Sequence, residues 1–458
     1  MKLLHEVIEA DGTRDGARAA ARLWHEWGVR SGETVAWLGG NHPALLVLLA
    51  AVARLGAMLL PLNFRLAPAE WDRAVAQCAP RHIVHDASWA DAARALAERA
   101  GLQAHSADAV DGGDPFANAP LHARDDAPVL LVYTSGTTGG PKAAVHTQGN
   151  LLANMRIAAN AQGISSSDVV LTVLPLFHVG GLCIQTLPAL YAGAKLVLHP
   201  RFDPGATLAA IARDRPTLTL LVPATMKAIV EHPAWAGTDL SSLRAVWAGS
   251  SIIPASLIEA FHARGVPVCN LYGATETGPF SIALREDRAM THVGSCGWPA
   301  PGIEAKLVEG EVWLRGPNVV RRYWPDTAAC DAEGWFHTGD LATVAADGSY
   351  TIVGRAKELI ISGGENIHPA EIEAVLAEHP GVAECAAFGV ADARWGEAVA
   401  VAVVRKSDAH EAELREYLAS RIAKFKLPQR WVFVETLPKT ALGKVQRSRL
   451  KGLIPIQE

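Results

Sequence analysis

Hydrophobic and polar positions alternate along the chain in two rhythms, one typical of helices and one typical of strands. In the first 120 residues, helical stretches such as ARAAARLWHEW alternate with short β-rich runs such as ETVAWLG. From Val129 to about Pro301, strand-like runs such as VVLTVLPL again alternate with helical stretches such as PASLIEAFHARG. Such alternation is typical of α/β sheets. The pattern predicts two sheets, the second parallel or mixed, which together could form one large body.

The pattern changes after Gly302, where the β-rich pieces become shorter and a turn is predicted at Asp347 and Gly348. This predicts a small β-subdomain. The last hundred residues contain two helical patterns, PAEIEAVLAEH and HEAELREYLASRI, and two strand patterns, AECAAFGV and EAVAVAVV. The predicted fold class is therefore α/β. A large N-terminal domain of two α/β sheet subdomains plus the small β-subdomain precedes a small mobile α+β C-terminal domain.

The composition fits an enzyme that acts on a small molecule. The 458 residues include 42 Lys and Arg against 47 Asp and Glu, a net charge of -5. A protein that coats nucleic acid needs positive charge, so this class is excluded, although binding of one nucleotide is not. The six cysteines are scattered without a CxxC pair, which predicts a reducing compartment and no structural zinc.

No segment predicts membrane insertion or export. The longest apolar run, ALLVLLAAVA from Ala44, is broken by Arg54 and is roughly half of the ~20 residues that a membrane span requires. Acidic residues occupy N-terminal positions where a signal peptide would be apolar. We therefore expect a cytoplasmic protein without a transmembrane segment.

The strongest local signal is the segment YTSGTTGGPK, which runs from Tyr133 to Lys142 and follows the strand pattern VLLVY. Glycines let the backbone approach an anion, hydroxyls donate hydrogen bonds, and a lysine adds charge. The segment is not a Walker loop, because Pro141 precedes the lysine and Ala143 follows it. Its composition leaves two interpretations open, a cradle for phosphate and a flexible surface turn.

Five further segments follow this loop in order. They are LPLFHVGGL (174–182), LYGATETG (271–278), GWFHTGDL (334–341), GRAKELIISGGENIHPAEIE (354–373) and LPKTALGKVQR (437–447). Together with the loop, this ordered set resembles the adenylate-forming (AMP-binding) superfamily, which includes acyl-CoA synthetases, luciferases and peptide-synthetase adenylation domains. The resemblance implies an N-terminal domain over residues 1–356 with the ATP and acyl sites. It also implies a C-terminal domain over residues 357–458 that swings about a hinge at Lys357.

The resemblance implies a nucleotide site built from several motifs. Glu276 would hold Mg²⁺, with Thr134 or the substrate phosphates nearby, since Mg²⁺ takes one or two protein carboxylates. Tyr272 would stack on adenine, and Asp340 would bind the ribose hydroxyls with Arg355 as a second contact. Taken alone, such residues are more often a surface charge, a core tyrosine or a turn aspartate. The implied nucleotide contacts are Thr134, Ser135, Gly136, Thr137, Thr138, Gly139, Lys142, Gly249, Ser250, Ser251, Asn270, Tyr272, Gly273, Ala274, Thr275, Asp340, Ile352, Arg355, Lys357 and Lys444.

Lys444 matches the family's catalytic lysine. When a carboxylate attacks the α-phosphorus, negative charge gathers between two anions, and one ammonium that reaches both stabilises the transition state. His178 lies where the family places a residue that gates the acyl pocket, although a histidine in an apolar run is more often a satisfied core residue. Glu276 and Thr134 complete the implied catalytic set.

Coenzyme A is the implied co-substrate of the second half-reaction. The loop with Gly363, Gly364 and Glu365 would line its pantetheine tunnel, and Trp395 is a weaker candidate for its nucleotide. Between positions 421 and 451 the chain has nine Lys or Arg residues and one acid, Glu435. This basic stretch contains the predicted catalytic lysine and could meet the phosphates of ATP and CoA.

The sequence therefore predicts an ATP-dependent, AMP-forming carboxylate-CoA ligase acting on a medium- or long-chain fatty acid or an aryl acid. Around Gly249, the segment WAGSSI is bulkier and more polar than the usual family pattern, so this wall does not identify the acid. The alternatives are an o-succinylbenzoate-CoA ligase, an adenylation enzyme that loads a carrier protein, and a nucleotide-binding regulator without catalysis. The predicted partners are the small-molecule acid, ATP and CoA, with no nucleic acid and a possible homodimer.

Overall fold

The computed structural model describes residues 3–8, 15–110, 118–134, 142–362, 365–392, 395–439 and 444–454. The chain divides into two compact units. Unit 1 contains Met1–Ile253, Leu257–Ala305 and Trp313–His337, and unit 2 contains Pro254–Ser256, Lys306–Val312 and Thr338–Glu458. The predicted boundary between residues 356 and 357 lies inside unit 2. The hinge at Lys357 stays a prediction.

Strands and helices alternate through unit 1, whereas strands dominate unit 2. The strands are β1 Thr34–Leu38, β2 Met58–Leu62, β3 His82–His85, β4 Gln103–Ser106, β5 Pro128–Thr134, β6 Lys142–Thr147, β7 Val169–Thr172, β8 Lys195–Leu198, β9 Leu218–Leu221, β10 Ala245–Ala248, β11 Val268–Tyr272, β12 Ile282–Ala283, β13 Trp298–Pro299, β14 Glu304–Val308, β15 Glu311–Arg315, β16 Arg322–Tyr323, β17 Thr327–Ala328, β18 Phe336–Val344, β19 Tyr350–Arg355, β20 Ile360–Ser362, β21 Glu365–Ile367, β22 Val382–Asp392, β23 Gly396–Arg405 and β24 Arg430–Phe433. The helices are α1 Leu4–Ile8, α2 Asp15–His25, α3 Pro43–Leu55, α4 Pro68–Cys78, α5 Ala90–Ala100, α6 Gln148–Gln162, α7 Val179–Gly181, α8 Leu187–Ala192, α9 Pro204–Asp214, α10 Pro223–Val230, α11 Ala255–His262, α12 Glu286–Ala289, α13 Pro369–Ala377, α14 Glu411–Ala419 and α15 Arg447–Lys451.

The first sheet of unit 1 has the strand order β17-β16-β6-β5-β2-β1-β3-β4. The five strands from β5 to β4 in that order are parallel, and β6 and β16 are antiparallel to their neighbours. The apolar run ALLVLLAAVA forms most of α3, which is buried on nearly every side in the core beside this sheet. A helix that is apolar all round must be buried. This run is therefore a core helix, as its length indicated.

The second sheet of unit 1 has the order β13-β12-β11-β10-β9-β7-β8. Its strands β7 to β11 are parallel, and β12 and β13 form an antiparallel edge. The prediction that everything from Val129 belongs to this sheet is wrong in one part. The strands β5 and β6 join the first sheet, because β5 pairs with β2 and then turns back into β6.

A four-stranded sheet with the order β14-β15-β18-β19 is the predicted small β-subdomain. A second sheet has the order β21-β20-β23-β22, with β24 paired to β23. Its core is formed by the apolar faces of α13, α14 and the long strands β22 and β23. The two predicted helices and two predicted strands of the last hundred residues are all present. In the described part of the chain, no helix combines the length and the apolar character that crossing a membrane requires.

Candidate active site

The carboxyl ends of β10 and β11 form an edge of the second sheet where several predicted nucleotide contacts lie. The two strands run parallel, with Ala248 opposite Asn270, so the chain leaves both at the same edge. Open α/β sheets bind ligands at the carboxyl ends of their strands. A glycine is needed directly after β10, because a Cβ on Gly249 would lie 2.5 Å from the carbonyl oxygen of Leu271. Ser250 follows with a φ of +74° and turns the chain away from the sheet.

Glu276 lies in a single 3₁₀ turn directly after β11. The backbone N–H of Ala274 donates to the hydroxyl of Thr277 at 2.9 Å, which closes the turn. The chain then folds back on itself, and a Cβ on Gly273 would lie only 1.7 Å from the carbonyl oxygen of Pro279. Residue Glu276 is 9% exposed, so its carboxylate is largely removed from water.

Two buried asparagines hold the chain that follows Glu276. The side-chain amide of Asn318 donates to the carbonyl oxygens of Thr277 at 2.7 Å and of Phe280 at 3.1 Å. The side-chain oxygen of Asn154 accepts from the N–H of Phe280 at 3.2 Å. Both asparagines are at most 1% exposed, and hydrogen bonds in such low-dielectric surroundings are strong. The position of the turn is therefore fixed by side chains from two other elements.

The Glu276 carboxylate is itself hydrogen-bonded. The hydroxyl of Tyr323, on β16 at the margin of the first sheet, donates to Oε1 of Glu276 at 2.9 Å. The backbone N–H of Val320 donates to the carbonyl oxygen of Glu276 at 2.8 Å. Burial and the charge of Glu276 raise the pKa of Tyr323, so this hydroxyl stays protonated and donates at neutral pH. The contact joins the two sheets of unit 1.

Thr134 and Lys142 mark the two ends of the predicted phosphate loop. They face each other at the end of the antiparallel pair β5 and β6, and the hydroxyl of Thr134 lies 3.4 Å from the carbonyl oxygen of Lys142. The ammonium of Lys142 lies 5.1 Å from the ring centre of Tyr323, a cation–π distance. Tyr323 thus contacts both a predicted phosphate-binding cation and a predicted metal-binding carboxylate. The loop residues Ser135, Gly136, Thr137, Thr138 and Gly139 lie outside the described residues.

The residues around Glu276 suit Mg²⁺ better than a transition metal. A carboxylate can accept about four hydrogen bonds or metal contacts, so the bond from Tyr323 leaves capacity for a cation. Within the described ranges, no three His, Cys, Asp or Glu side chains are grouped so that they could hold a metal. Mg²⁺ typically binds one or two carboxylates and completes its shell with water and substrate phosphates. A single buried glutamate near a lysine fits that requirement.

Unit 2 places Asp340 and Arg355 side by side. They are opposite each other in the antiparallel pair β18 and β19, and Nε of Arg355 lies 2.8 Å from Oδ1 of Asp340. The backbone N–H of Asp340 donates to the hydroxyl of Thr338 at 3.0 Å, and that hydroxyl donates to the carbonyl of Val312 at 2.7 Å. Asp340 is 7% exposed. One residue beyond this pair, β19 has a bulge, because Leu341 pairs with Gly354 and Ala342 with Ile352; bulges are frequent beside functional sites.

Lys444 is exposed, and the residues on both sides of its loop are anchored in unit 2. Lys439 forms an antiparallel bridge with Val445, and its ammonium lies 2.7 Å from Glu384. The backbone N–H of Gln446 donates to the carbonyl oxygen of Pro438 at 2.8 Å. The two ends of the loop are therefore held together.

Arg447, three residues after Lys444, forms the most extensive set of contacts near that loop. Its guanidinium lies 2.6 Å from Oε2 of Glu358 and 2.7 Å and 3.0 Å from the two oxygens of Glu373. It also donates from Nε to the carbonyl oxygen of Ala387 at 3.0 Å. Burial opposes its charge, but the two carboxylates outweigh this and raise the pKa of Arg447. The start of α15 is thus tied to three other elements of unit 2.

Comparison with known proteins identifies the family. The AMP-binding enzyme family matches residues 13–324, and the AMP-binding enzyme C-terminal domain matches residues 371–444. The chain belongs to the AMP-binding enzyme family. This membership and the similar proteins confirm three predictions: an adenylate-forming enzyme, an α/β fold with a small C-terminal domain, and an acid-thiol ligase.

Three curated AMP-binding relatives are CoA ligases of aromatic acids. An indoleacetate-CoA ligase of Aromatoleum aromaticum is 42% identical, and the alignment covers 93% of this chain and 89% of that protein. A feruloyl-CoA synthase of Amycolatopsis is 40% identical, with coverage of 95% and 90%. A 2-succinylbenzoate-CoA ligase of Bacillus cereus is 33% identical, with coverage of 93% and 89%.

Solved AMP-binding structures share the fold over nearly the whole chain. The o-succinylbenzoate CoA synthetase of Bacillus subtilis, in complex with ATP and magnesium ion, has a TM-score of 0.87 and 31% identity, covering 96% of this chain and 94% of that one. An anthranilate CoA ligase with anthranoyl-AMP has a TM-score of 0.89 and 25% identity, covering 99% and 97%. Predicted use of ATP, Mg²⁺ and CoA is consistent with these neighbours.

The remaining predicted residues lie in both units. His178 is half-buried and its Nδ1 accepts from the N–H of Gly180 at 3.0 Å, so it caps the start of α7. Asn270 is buried, and its amide donates to the carbonyl of Ser295 at 3.2 Å, which is a structural contact. Four further residues of unit 2 that were predicted to bind ATP or CoA are described by the structure. Ile352 lies on β19, Lys357 in a 3₁₀ turn and Glu365 exposed on β21, and Trp395 is 43% exposed. Gly363 and Gly364 lie outside the described residues.

Sequence reasoning missed Tyr323, Asn154 and Asn318. The segment RGPNVVRRYWP follows β15 without a hydrophobic pattern that would indicate a site. The only sequence feature that could have indicated a site was the presence of Asn318 and Tyr323, five residues apart, in this segment. Neither residue type predicts that Asn318 binds the carbonyl oxygens of Thr277 and Phe280 or that Tyr323 contacts Glu276, 47 positions away. The contacts depend on β16 adding to the far margin of the first sheet.

Proposed function

We propose that the protein is an ATP-dependent, AMP-forming ligase that joins an aryl carboxylic acid to coenzyme A. The observation that carries this proposal is the buried Glu276 carboxylate, linked through Tyr323 to Lys142 beside the predicted phosphate loop. A lone carboxylate and a lysine beside a strand-end crevice fit a Mg²⁺-bound polyphosphate. The aromatic acids in the names of the three relatives favour an aryl over a fatty acid.

The proposed reaction has two steps. In the first, a carboxylate oxygen of the acid attacks the α-phosphorus of ATP, the bond from that phosphorus to the bridging oxygen breaks, and pyrophosphate leaves with the bond electrons. In the second, the CoA thiol gives its proton to solvent and its sulfur attacks the acyl carbon, so that AMP leaves. The first step converts oxide, a poor leaving group, into AMP.

We assign the polyphosphate to the crevice of unit 1. Lys142 supplies a positive charge at the mouth of the loop, and the hydroxyl of Thr134 lies at the opposite strand end. Glu276 would hold Mg²⁺, which when bound would neutralise charge on the phosphates. The position of the Glu276 turn is set by the two asparagines and by Tyr323. Backbone segments at 249–251 and 272–275 border the same edge and are assigned to the adenosine.

We assign the ribose to Asp340 and the catalytic cation to Lys444, both in unit 2. A carboxylate accepts hydrogen bonds from two neighbouring hydroxyls, and Arg355 orients it through the ion pair. Lys444 stabilises the charge that develops between the attacking carboxylate and the α-phosphate. The loop after Lys357, with Glu365 and Trp395, is assigned to CoA in the second step. A rotation of the C-terminal domain between the steps is part of this proposal, as is the predicted homodimer.

A product assay over a panel of acids tests the function. Purified protein is incubated with ATP, Mg²⁺ and CoA and one of indole-3-acetic, ferulic, 2-succinylbenzoic, benzoic or octanoic acid, and AMP and pyrophosphate are measured. We expect both products with at least one aryl acid, and a thioester only when CoA is present. Tight ATP binding without pyrophosphate from any acid would favour the regulator, and highest turnover with octanoic acid would favour a fatty-acid ligase.

The competing adenylation function has its own outcome in this assay. An enzyme that loads a carrier protein forms the adenylate but does not turn over with free CoA. Hydroxylamine, which traps an acyl-adenylate, would then give product while CoA would not.

A cytoplasmic location is proposed from the described cysteines, none of which is in a disulfide.

A further inference from the structure

Tyr323 lies between two groups of opposite charge in unit 1. Its hydroxyl donates to Oε1 of Glu276 at 2.9 Å, and its ring face is 5.1 Å from the ammonium of Lys142. A tyrosine can serve both purposes, because its oxygen donates in the ring plane while the faces of the ring attract cations. A phenylalanine would keep only the second contact, and an aliphatic residue would keep neither.

The backbone around Tyr323 is built to hold this position. Tyr323 is opposite Ala144 in the pairing of β16 with β6, two residues beyond Lys142. The next indole, Trp324, donates from Nε1 to the carbonyl oxygen of Gln77 at 3.0 Å. Upstream, Val320 is bonded to the backbone of Glu276. The segment is therefore fixed on both sides of the tyrosine.

We propose that Tyr323 is a positioning residue that orients the Glu276 carboxylate toward the Mg²⁺ of MgATP and sets the Lys142 ammonium by its ring face. The inference rests on the proposed function, since it assumes that this crevice binds MgATP. The hydroxyl restricts rotation of the carboxylate, so that a ligand to the cation is already oriented before the nucleotide arrives. Pre-organisation of this kind raises affinity by reducing the ordering that binding requires.

Two substitutions separate the two contacts. Tyr323→Phe removes the hydrogen bond to Glu276 and keeps the aromatic ring beside Lys142. We therefore expect the affinity for ATP in the presence of Mg²⁺ to fall about tenfold, while the affinity without Mg²⁺ stays as in the wild type. Tyr323→Leu removes both contacts, so binding of ATP without Mg²⁺ should fall as well. Binding of a non-hydrolysable ATP analogue is measured by calorimetry over a series of Mg²⁺ concentrations, with and without EDTA.

A matched control and a double variant make the result specific. Tyr191→Phe removes a hydroxyl from an exposed tyrosine near the end of α8 that has no assigned role in the site, and this variant should bind like the wild type. In a Glu276→Gln background, Tyr323→Phe should cause little further loss, because two residues that act through one contact are not additive. Thermal melting of each variant checks that the fold is retained.

The outcomes distinguish this inference from the proposed function. If the wild type binds MgATP and releases pyrophosphate while Tyr323→Phe keeps the wild-type Mg²⁺ dependence, the positioning role is wrong and the function stands. Equal losses for Tyr323→Phe with and without Mg²⁺ would also contradict it, because they would indicate general damage to the site. A wild type that binds no nucleotide would overturn the proposed function itself.

Discussion

At the scale of single residues, the candidate site depends on positions where a glycine is required because no side chain fits. Gly273 is the sharpest case, since a Cβ there would lie 1.7 Å from the carbonyl oxygen of Pro279, which is backbone and cannot move aside alone. The turn that carries Glu276 would have to shift. The position of the Glu276 carboxylate therefore depends on Gly273, a residue with no functional group of its own.

Gly273→Ala should reduce adenylate formation at least about tenfold while the protein stays folded, since overpacking costs about 1–3 kcal/mol. Gly237→Ala is the matched control, because a Cβ at Gly237 meets no atom within 4 Å. Pyrophosphate release and thermal melting are compared for the two variants. Wild-type activity in Gly273→Ala would mean that the turn can relax without moving Glu276.

His146 makes stability depend on pH. It is fully buried on β6, and burial lowers its pKa to about 4, well below the value of about 6.5 for an unfolded chain. Because the unfolded state binds the proton first, this contribution is complete above pH 6.5 and is lost as the pH falls toward 4. The neutral, buried state of this imidazole is what the native fold requires.

His146→Leu should therefore lose less stability on acidification than the wild type, by about 2 kcal/mol between pH 7 and pH 5. Urea unfolding at the two pH values measures the difference. His410→Gln, which changes an exposed histidine before α14, is the control. Equal acid sensitivity of His146→Leu and wild type would show that other groups dominate in this range.

At the scale of elements, the hydrophobic periodicity of the sequence predicted the individual helices and strands, which depend mainly on local sequence. The helix PAEIEAVLAEH and the strands AECAAFGV and EAVAVAVV all form, because the helix buries its apolar face and the strands bury apolar residues on both faces in unit 2. The assignment of β5 and β6 to a sheet was not predictable in the same way, because it depends on which strand edge they meet. Asp340 and Lys142 could be proposed from motifs in the sequence, whereas the contact of Tyr323 with Glu276 depends on the three-dimensional pairing of β16.

The contacts that anchor α15 lie close to the predicted catalytic lysine, Lys444. Arg447 joins Glu358, Glu373 and the carbonyl oxygen of Ala387, and Lys444 lies three residues before it in the chain. Removing the guanidinium leaves two carboxylates without their shared partner, and breaking a buried ion pair costs about 3–5 kcal/mol. The carboxylates are partly exposed, so solvent screening reduces the effect.

Arg447→Ala should therefore destabilise the protein by about 2 kcal/mol and slow adenylate formation more than thioester formation from supplied acyl-AMP. Arg415→Ala is the matched control in the same unit, since its ion pair with Glu411 is exposed and such pairs contribute about 0.5 kcal/mol or less. Chemical unfolding and the two half-reactions are measured separately. Equal slowing of both half-reactions would mean that Arg447 supports unit 2 as a whole and not the Lys444 loop.

At the scale of the whole molecule, the assigned groups are divided between two units. Glu276 and Lys142 belong to unit 1, and Asp340, Arg355 and Lys444 belong to unit 2. The motifs placed Asp340 and Arg355 in the predicted N-terminal domain of residues 1–356 and Lys444 in the C-terminal domain, whereas in the structure residues 338–356 group with the C-terminal residues. Hydrogen bonds of Thr338 and Gly339 to residues 311 and 312 attach this segment to the sheet of unit 2.

A lysine that serves one half-reaction from a mobile domain should be dispensable in the other. Lys444→Ala removes the ammonium that we propose bridges the attacking carboxylate and the α-phosphate, so adenylate formation should fall by about 10²–10³-fold, the loss typical of one electrostatic contact in a transition state. Thioester formation from supplied acyl-AMP and CoA should stay within about threefold of the wild-type rate, because charge no longer builds up between those two anions. Lys451→Ala, an exposed lysine on α15, controls for the loss of one positive charge from the basic stretch. If both half-reactions fell equally in Lys444→Ala but not in Lys451→Ala, the lysine would be needed in both steps, and a domain rotation that withdraws it between them would be wrong.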